Sequence, residues 1–157
     1  MQHITIRMIA FLLLCGFTFA DDAPKPPAAE PVVTEIGQRR TPCYGTCPVY
    51  AVTIKRDGTF KYHGTEFVNH KGDWTGHLAD SEFQRLAKLV LAADFANLKE
   101  KYSETITDHA TVYTRVDIDG KSKVVEDYAH AGPEALRALE DAILSAIDHA
   151  TWDNPKK

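Results

Sequence analysis

The sequence predicts an α+β fold in which a mostly antiparallel sheet is covered by helices on one face. Two hairpin-containing segments, residues 48–63 and 112–125, each precede a segment with helical periodicity, residues 80–93 and 133–147. Both hairpins begin with a Val-Tyr pair and turn at an Asp-Gly pair, so the chain resembles a ββ(β)α–ββα pseudo-repeat. Runs of strands followed by helices are typical of α+β proteins.

Composition narrows the class of protein further. A chain of 157 residues with 44% hydrophobic and 25% charged residues is typical of one globular domain. The net charge of −4 and the pI of about 5.9 exclude the basic surface expected of a nucleic-acid-binding protein. We therefore expect no nucleic acid among the partners.

The first twenty residues are typical of a secretory signal peptide. One basic residue, Arg7, precedes an apolar run over residues 8–17, and Ala20 supplies a small residue at the cleavage position. We expect cleavage after Ala20, a periplasmic or secreted location, and no transmembrane segment in the mature chain. Two alternatives are an uncleaved membrane anchor and lipidation at Cys15, which Leu14 disfavours because a small residue should precede such a cysteine.

Four segments follow from the distribution of proline and of apolar residues. After the signal peptide, residues 21–35 form a Pro/Ala-rich tether, because proline restricts the backbone and removes hydrogen-bond donors. Residues 36–152 form the single α+β domain, and residues 153–157 form a polar tail.

The first hairpin has a register that its apolar residues select. A two-residue Asp-Gly turn would place Ile54 opposite a lysine, whereas a three-residue loop pairs Ile54 with Phe60 and Val52 with Tyr62. Register follows the buried face, so we predict the three-residue loop with Gly58 in a left-handed bulge.

The rest of the first half contains two further extended segments and a helix. Phe67 and Val68 begin a third extended segment, Gly72 turns the chain, and Trp74 lies in a fourth. Asp80 or Ser81 caps a helix whose apolar stripe recurs at helical spacing: Phe83, Leu86, Val90 and Ala93.

The second half repeats this pattern after an irregular stretch. A short helical turn is expected near Phe95, and residues 103–111 form the longest irregular loop, a type of segment that is often functional. Asp119-Gly120 turns a hairpin whose register the sequence leaves ambiguous. Gly132-Pro133 opens the last helix, since proline suits the first helical position, and its buried stripe is Leu136, Leu139, Ile143 and Ile147.

The two cysteines that remain after cleavage, Cys43 and Cys47, are predicted to form a structural disulfide, because thiols oxidise in exported proteins. A redox-active pair is the alternative, but its usual spacing is two residues and its reactive cysteine usually begins a helix. A haem site would need a histidine after the second cysteine, and a zinc site would need about four ligands.

The segment around these cysteines, Arg-Thr-Pro-Cys-Tyr-Gly-Thr-Cys-Pro-Val-Tyr at residues 40–50, resembles the opening motif of an uncharacterised family of bacterial exported domains. Later pieces are similar to that family as well: Asp57-Gly58, Tyr62-His63-Gly64, Gly72, Asp108, Gly120, Pro133 and Trp152. The resemblance spans residues 35–152. It implies export and these domain limits, and it supplies no catalytic residues.

Histidines and aspartates are the candidates for metal binding or acid–base chemistry. His63, His70 and His77 are seven residues apart, and an odd spacing on strands places neighbours on opposite faces, so exposed strand histidines are expected. Asp108-His109 on the long loop, with Asp127 and His130 after the second hairpin, could bind a metal or transfer protons. We favour the simpler explanation, in which the aspartates cap their own loop backbone, and we predict no metal or cofactor.

Tyr44 lies inside the disulfide loop and cannot easily turn inward, and an exposed rigid aromatic residue is a common interaction anchor. We therefore predict an interaction surface that includes Tyr44, Thr46, Asp108 and His109, with no catalytic residue. The function expected is a non-enzymatic periplasmic or secreted module that binds a protein or a cell-envelope component. The alternatives are an inhibitor of a periplasmic hydrolase and a small hydrolase-like enzyme that uses Asp108, His109 and Asp127.

Overall fold

The computed structural model describes residues 29–153. The predicted signal peptide, residues 21–28 of the predicted tether and residues 154–157 lie outside the described residues. One sheet of eight strands contains β1 (Val33–Arg40), β2 (Val49–Lys55), β3 (Thr59–Glu66), β4 (Gly72–His77), β5 (Lys101–Ser103), β6 (Thr111–Ile118), β7 (Lys121–Tyr128) and β8 (Thr151–Trp152). The helices are α1 (Asp80–Ala92), α2 (Glu134–Asp148) and a short 3₁₀ helix (Phe95–Asn97).

The predicted α+β fold is confirmed. The sheet order is β5-β7-β6-β1-β2-β3-β4-β8, and every neighbouring pair is antiparallel except β5 and β7. Each of the two main helices follows a run of strands, as the pseudo-repeat requires.

The core lies between one face of the sheet and the two helices. Alternate residues of the central strands are buried, because successive side chains of a strand point to opposite faces. They pack against the predicted helical stripes, whose buried members are Phe83, Leu86, Val90, Leu136, Leu139, Ile143 and Ile147. None of the helices within residues 29–153 is long and apolar enough to cross a membrane.

Both hairpins have the turns that their sequences predict. In the first, Ile54 pairs with Phe60, and Gly58 has a φ of +80°. The second resolves the ambiguity of its register: Ile118 pairs directly with Lys121 across a two-residue turn in which both central residues have positive φ. That geometry is typical of the type I′ turn that Asp-Gly favours.

Strand β1 was not predicted, although it lies at the centre of the sheet. It pairs with β2 on one side and with β6 on the other, so it joins the two halves of the pseudo-repeat. The strand begins at Val33, three residues before the predicted start of the domain, and Val33 is buried in the core.

Three local predictions differ from the structure. Phe67 and Val68 begin no strand, because β3 continues to Glu66 and Phe67 takes a positive φ of +52° in the turn before β4. Asp80 is the first residue of α1 and Ala79 is its N-cap, which offers no side-chain hydrogen bond. Pro133 precedes α2 as its N-cap with an extended backbone, so it ends the loop and does not begin the helix.

Candidate functional site

The disulfide loop connects the end of β1 to the start of β2. Cys43 and Cys47 are bonded, with a Cα–Cα distance of 5.8 Å, so the predicted disulfide is confirmed. The enclosed residues 44–46 are all exposed, and the side chain of Tyr44 is 90% exposed. The covalent ring therefore holds an aromatic side chain in solvent.

The irregular loop before β6 lies beside the disulfide loop. The backbone N–H of Tyr44 donates to the carbonyl of Asp108 at 3.0 Å, and that of Thr41 donates to the carbonyl of Thr111 at 3.0 Å. The hydroxyl of Tyr128 donates to the carbonyl of Ile106 at 2.8 Å, which ties the same loop to the end of β7. The two loops predicted to border one surface are thus neighbours.

We call the surface formed by residues 42–48 and 103–111 the loop surface. Ile106 is 47% exposed and adds an apolar side chain to Tyr44. Thr46, Asp108 and His109 are exposed on the same two loops. The loop surface therefore has two large hydrophobic side chains exposed among polar ones.

The structure does not bring Asp108, His109 and Asp127 together. Asp127 is fully buried on the helix-covered face of β7, whereas Asp108 and His109 are exposed. The loop instead contacts Tyr128, which follows Asp127 on the strand and therefore points to the opposite face.

Asp127 lies in a buried polar cluster with His130 and Glu140. One oxygen of Asp127, Oδ1, accepts a hydrogen bond from the backbone N–H of Gly132 at 3.0 Å, the loop-capping role expected of such an aspartate. Its other oxygen, Oδ2, is buried and has no hydrogen-bond partner within residues 29–153. His130 Nδ1 lies 3.7 Å from Glu140 Oε2, which is too long for a hydrogen bond.

Glu140 lies in the middle of the buried face of α2 and is 3% exposed. Burial, and to a smaller extent the nearby charge of Asp127, raise the pKa of Glu140, which is about 8. A hydrogen bond that the Thr114 hydroxyl donates to Glu140 Oε1 at 3.1 Å and the charge of Arg40 lower the pKa. The carboxyl is therefore mostly protonated at neutral pH.

A second buried hydrogen-bond chain links the cluster to the centre of the sheet. The side-chain amide of Gln38 donates to the backbone carbonyl of Glu140 at 3.1 Å, and the hydroxyl of Tyr50 donates to Gln38 Oε1. Burial raises the pKa of Tyr50, so this hydroxyl keeps its proton and remains a donor. These bonds join β1, β2 and α2 across the core.

Sequence reasoning missed Glu140, Gln38 and Thr114. A usable signal was present for Glu140, because it stands four residues after Leu136 and three before Ile143, within the apolar stripe of α2. An acid at that position must be buried, and buried acids concentrate at functional sites. Gln38 carried no comparable signal, since no strand was predicted there.

The three regularly spaced histidines have separate surroundings. His63 Nδ1 lies 2.6 Å from Asp73 Oδ1 on the exposed face of β3 and β4. The ring of His70 stacks on Trp152 with centroids 3.8 Å apart, and His77 is exposed on β4. Within residues 29–153, the group of three potential metal ligands that comes together is Asp127, His130 and Glu140.

The fold and these features define a small α+β domain with a two-layer core, a disulfide-closed loop at one end of its sheet and a buried polar cluster. The chain belongs to the family described as a domain of unknown function, DUF6438, whose family model matches residues 34–147. None of the curated proteins matches the chain.

Proposed function

We propose that the domain is a non-enzymatic binding module that contacts a protein partner of the cell envelope through the loop surface. The observation that supports this most is the exposure of Tyr44 in a covalently closed loop. Aromatic anchors dominate the binding energy of many protein interfaces, and tyrosine is among the residues enriched there.

Rigidity of the loop surface favours this function. The disulfide restricts the loop on one side, and the hydrogen bond from Tyr44 N–H to Asp108 fixes it to its neighbour on the other. Less conformational entropy is lost on binding when a contact residue is already held in place. Tyr44 therefore presents its ring to a partner without first ordering its backbone.

The chemistry of the surface favours a protein partner. Tyr44 and Ile106 supply apolar contact area, and Thr46, Asp108 and His109 supply hydrogen-bonding groups around it. Interfaces between proteins commonly combine an apolar centre with a polar rim.

We propose an exported location for this interaction. Residues 1–20 have the pattern of a signal peptide, and a disulfide persists where the environment is oxidising. Partners in the periplasm or outside the cell fit both features.

Inhibition of a periplasmic hydrolase is the second candidate. The exposed tip of the disulfide loop, residues 44–46, has the form of a segment that can enter the cleft of an enzyme. An enzymatic role for Asp108, His109 and Asp127 has less geometric support, because Asp127 is buried and the other two are exposed.

Site-specific photo-crosslinking in intact cells tests the proposal. A photoreactive residue at position 44 should capture a defined protein, whereas the same residue at Leu91, an exposed position on α1, should not. With the captured protein purified, Tyr44→Ala should weaken binding about 30-fold or more, as expected for an interface anchor, and Leu91→Ala should leave affinity unchanged.

The same experiment separates the candidates. A captured hydrolase whose activity falls at equimolar domain concentration indicates the inhibitor. Equal capture at both positions, or unchanged affinity for Tyr44→Ala, would contradict a role of the loop surface in binding.

A further inference from the structure

Three potential ligand atoms converge where β7 ends and α2 passes beneath it. One potential ligand atom from each of Asp127, His130 and Glu140 lies within 4.8 Å of the other two. In the same three side chains, Asp127 Oδ2, His130 Nδ1 and Glu140 Oε2 are buried and have no hydrogen-bond partner among the described residues. Buried polar atoms in native proteins nearly always have a partner, so three unpartnered atoms at one point require an explanation.

Both carboxylates are oriented through their other oxygen. The backbone N–H of Gly132 holds Asp127 Oδ1 at 3.0 Å, and the Thr114 hydroxyl holds Glu140 Oε1 at 3.1 Å. Each acid thus keeps one oxygen free beside the imidazole. Donors that hold the outer atoms of ligating side chains are a usual feature of metal sites in proteins.

We propose that Asp127, His130 and Glu140 form a binding site for a divalent transition-metal ion of the zinc class. One imidazole nitrogen and two carboxylate oxygens are a ligand set that Zn²⁺ accepts, and three protein ligands leave a fourth position for water or another ligand. Mg²⁺ and Ca²⁺ fit less well, because they take six or more oxygen ligands. This inference is independent of the loop surface.

The 3.7 Å between His130 Nδ1 and Glu140 Oε2 is close to the separation of two ligands on one zinc ion. Ligands about 2.0–2.1 Å from a tetrahedral ion lie roughly 3.4 Å apart. The largest separation in the group is at most 4.8 Å, so binding requires the atoms to approach by about 1.4 Å at most, through small side-chain rotations of the three residues.

The turn between β7 and α2 positions the imidazole and opens the site to solvent. Ala129 and His130 both have positive φ, +62° and +56°, an unusual conformation for residues other than glycine. The side chain of His130 is 32% exposed, so it lies between solvent and the two acids. Gly132 keeps space for the carboxylate, since a Cβ there would lie 3.1 Å from Asp127 Oδ2.

Calorimetric titration of the chelator-treated full chain with ZnCl₂ tests the proposal. We expect one equivalent of Zn²⁺ to bind, more tightly than Mn²⁺, as the usual affinity order of these ions requires. His130→Gln and Glu140→Gln should each weaken zinc binding at least about tenfold, because each removes a ligand. Both variants retain polar side chains of similar size, so thermal unfolding without metal can verify that they fold.

The matched control is His63→Gln, which removes the histidine of the exposed His63–Asp73 pair. It should bind zinc as the unmodified protein does. Absence of zinc binding would overturn the proposal. Zinc binding whose affinity is the same in His130→Gln and Glu140→Gln as in the unmodified protein would overturn it as well.

Discussion

At the scale of single residues, Glu140 makes stability depend on pH in an unusual direction. Its pKa is about 8 in the folded protein, above the value of about 4.3 for a solvated glutamate. The folded state therefore binds more protons than the unfolded state between these two values, and stability falls as pH rises through that window. The charges of Asp127, Arg40 and Asp141 act on the pKa of Glu140, and His130 Nδ1 lies 3.7 Å from its Oε2.

In the presence of EDTA, we expect the free energy of unfolding to fall by up to about 1.4 kcal/mol per pH unit between pH ~5 and ~8. Urea denaturation at four pH values measures the slope. Glu140→Gln should remove most of it, because the amide resembles the protonated acid. Equal slopes for the two proteins would show that Glu140 has an ordinary pKa. All other ionisable residues are common to the two proteins, so the difference between the slopes isolates Glu140.

Ala129 allows a second test at this scale. Its φ of +62° lies in the left-handed region, which costs L-residues roughly 1–2 kcal/mol. Glycine avoids this cost but has more freedom in the unfolded chain, so we expect Ala129→Gly to stabilise the fold by about 0.5–1 kcal/mol.

The matched control is the same substitution at Ala138, an exposed position inside α2. There, Ala→Gly should destabilise the protein by about 1 kcal/mol, since glycine is a poor helix former. Chemical denaturation of the two variants should give changes of opposite sign. A loss of stability for Ala129→Gly would contradict the assignment of backbone strain to this turn.

The surroundings of a residue could be predicted from the sequence where its close neighbours in the chain determine them. The exposure of Tyr44 followed from its position inside a five-residue ring. The cluster of Asp127, His130 and Glu140 could not be predicted in the same way. Its members lie on separate elements, and Glu140 reaches the other two because α2 packs against the sheet.

At the scale of elements, the disulfide loop is held by one covalent bond and by hydrogen bonds to the loop before β6. A ring of five residues stabilises the fold by about 2 kcal/mol on the loop-entropy estimate. The double variant Cys43→Ser/Cys47→Ser should lose about that free energy of unfolding, measured by denaturation.

Hydrogen exchange should locate the effect of the missing disulfide. The amide of Tyr44, which donates to Asp108, should exchange faster in the double variant, while that of Gly58 in the distant hairpin should change only with global stability. Unchanged protection at Tyr44 would show that the neighbouring loop orders this segment without the disulfide.

Turn chemistry explains which elements were predictable. Asp57-Gly58 and Asp119-Gly120 each specify a hairpin locally, and the structure has both. Strand β1 has no such signal, because its second half contains Gln38, Arg39 and Arg40. The buried side chain of Gln38 is hydrogen-bonded to the backbone carbonyl of Glu140 and to the hydroxyl of Tyr50. Partners on other elements cannot be recognised from the pattern of residues within one strand.

At the scale of the whole molecule, β1 makes one sheet from two similar halves. Each half has its own hairpin and helix, but the hairpins do not pair with each other: β1 lies between β2 and β6 and pairs with both. Most of its pairing partners on β6 are about 75 or more residues away in sequence. The pseudo-repeat was predictable from local motifs, whereas the strand that joins its halves was not.

The position of β1 predicts where the folded unit must begin. A chain that starts at Ile36 lacks buried Val33, the hydrogen bond from Val32 N–H to Asp119 Oδ1, and that from Arg56 N–H to the carbonyl of Thr34. Burial of one valine contributes about 1.5–3 kcal/mol, so this chain should be less stable by at least that amount than one starting at Glu30. Urea denaturation of the two chains measures the difference. Equal stability would place the start of the domain at Ile36. It would also show that the pairs of Val33 with Ile118 and of Glu35 with Asp117 are not needed for stability.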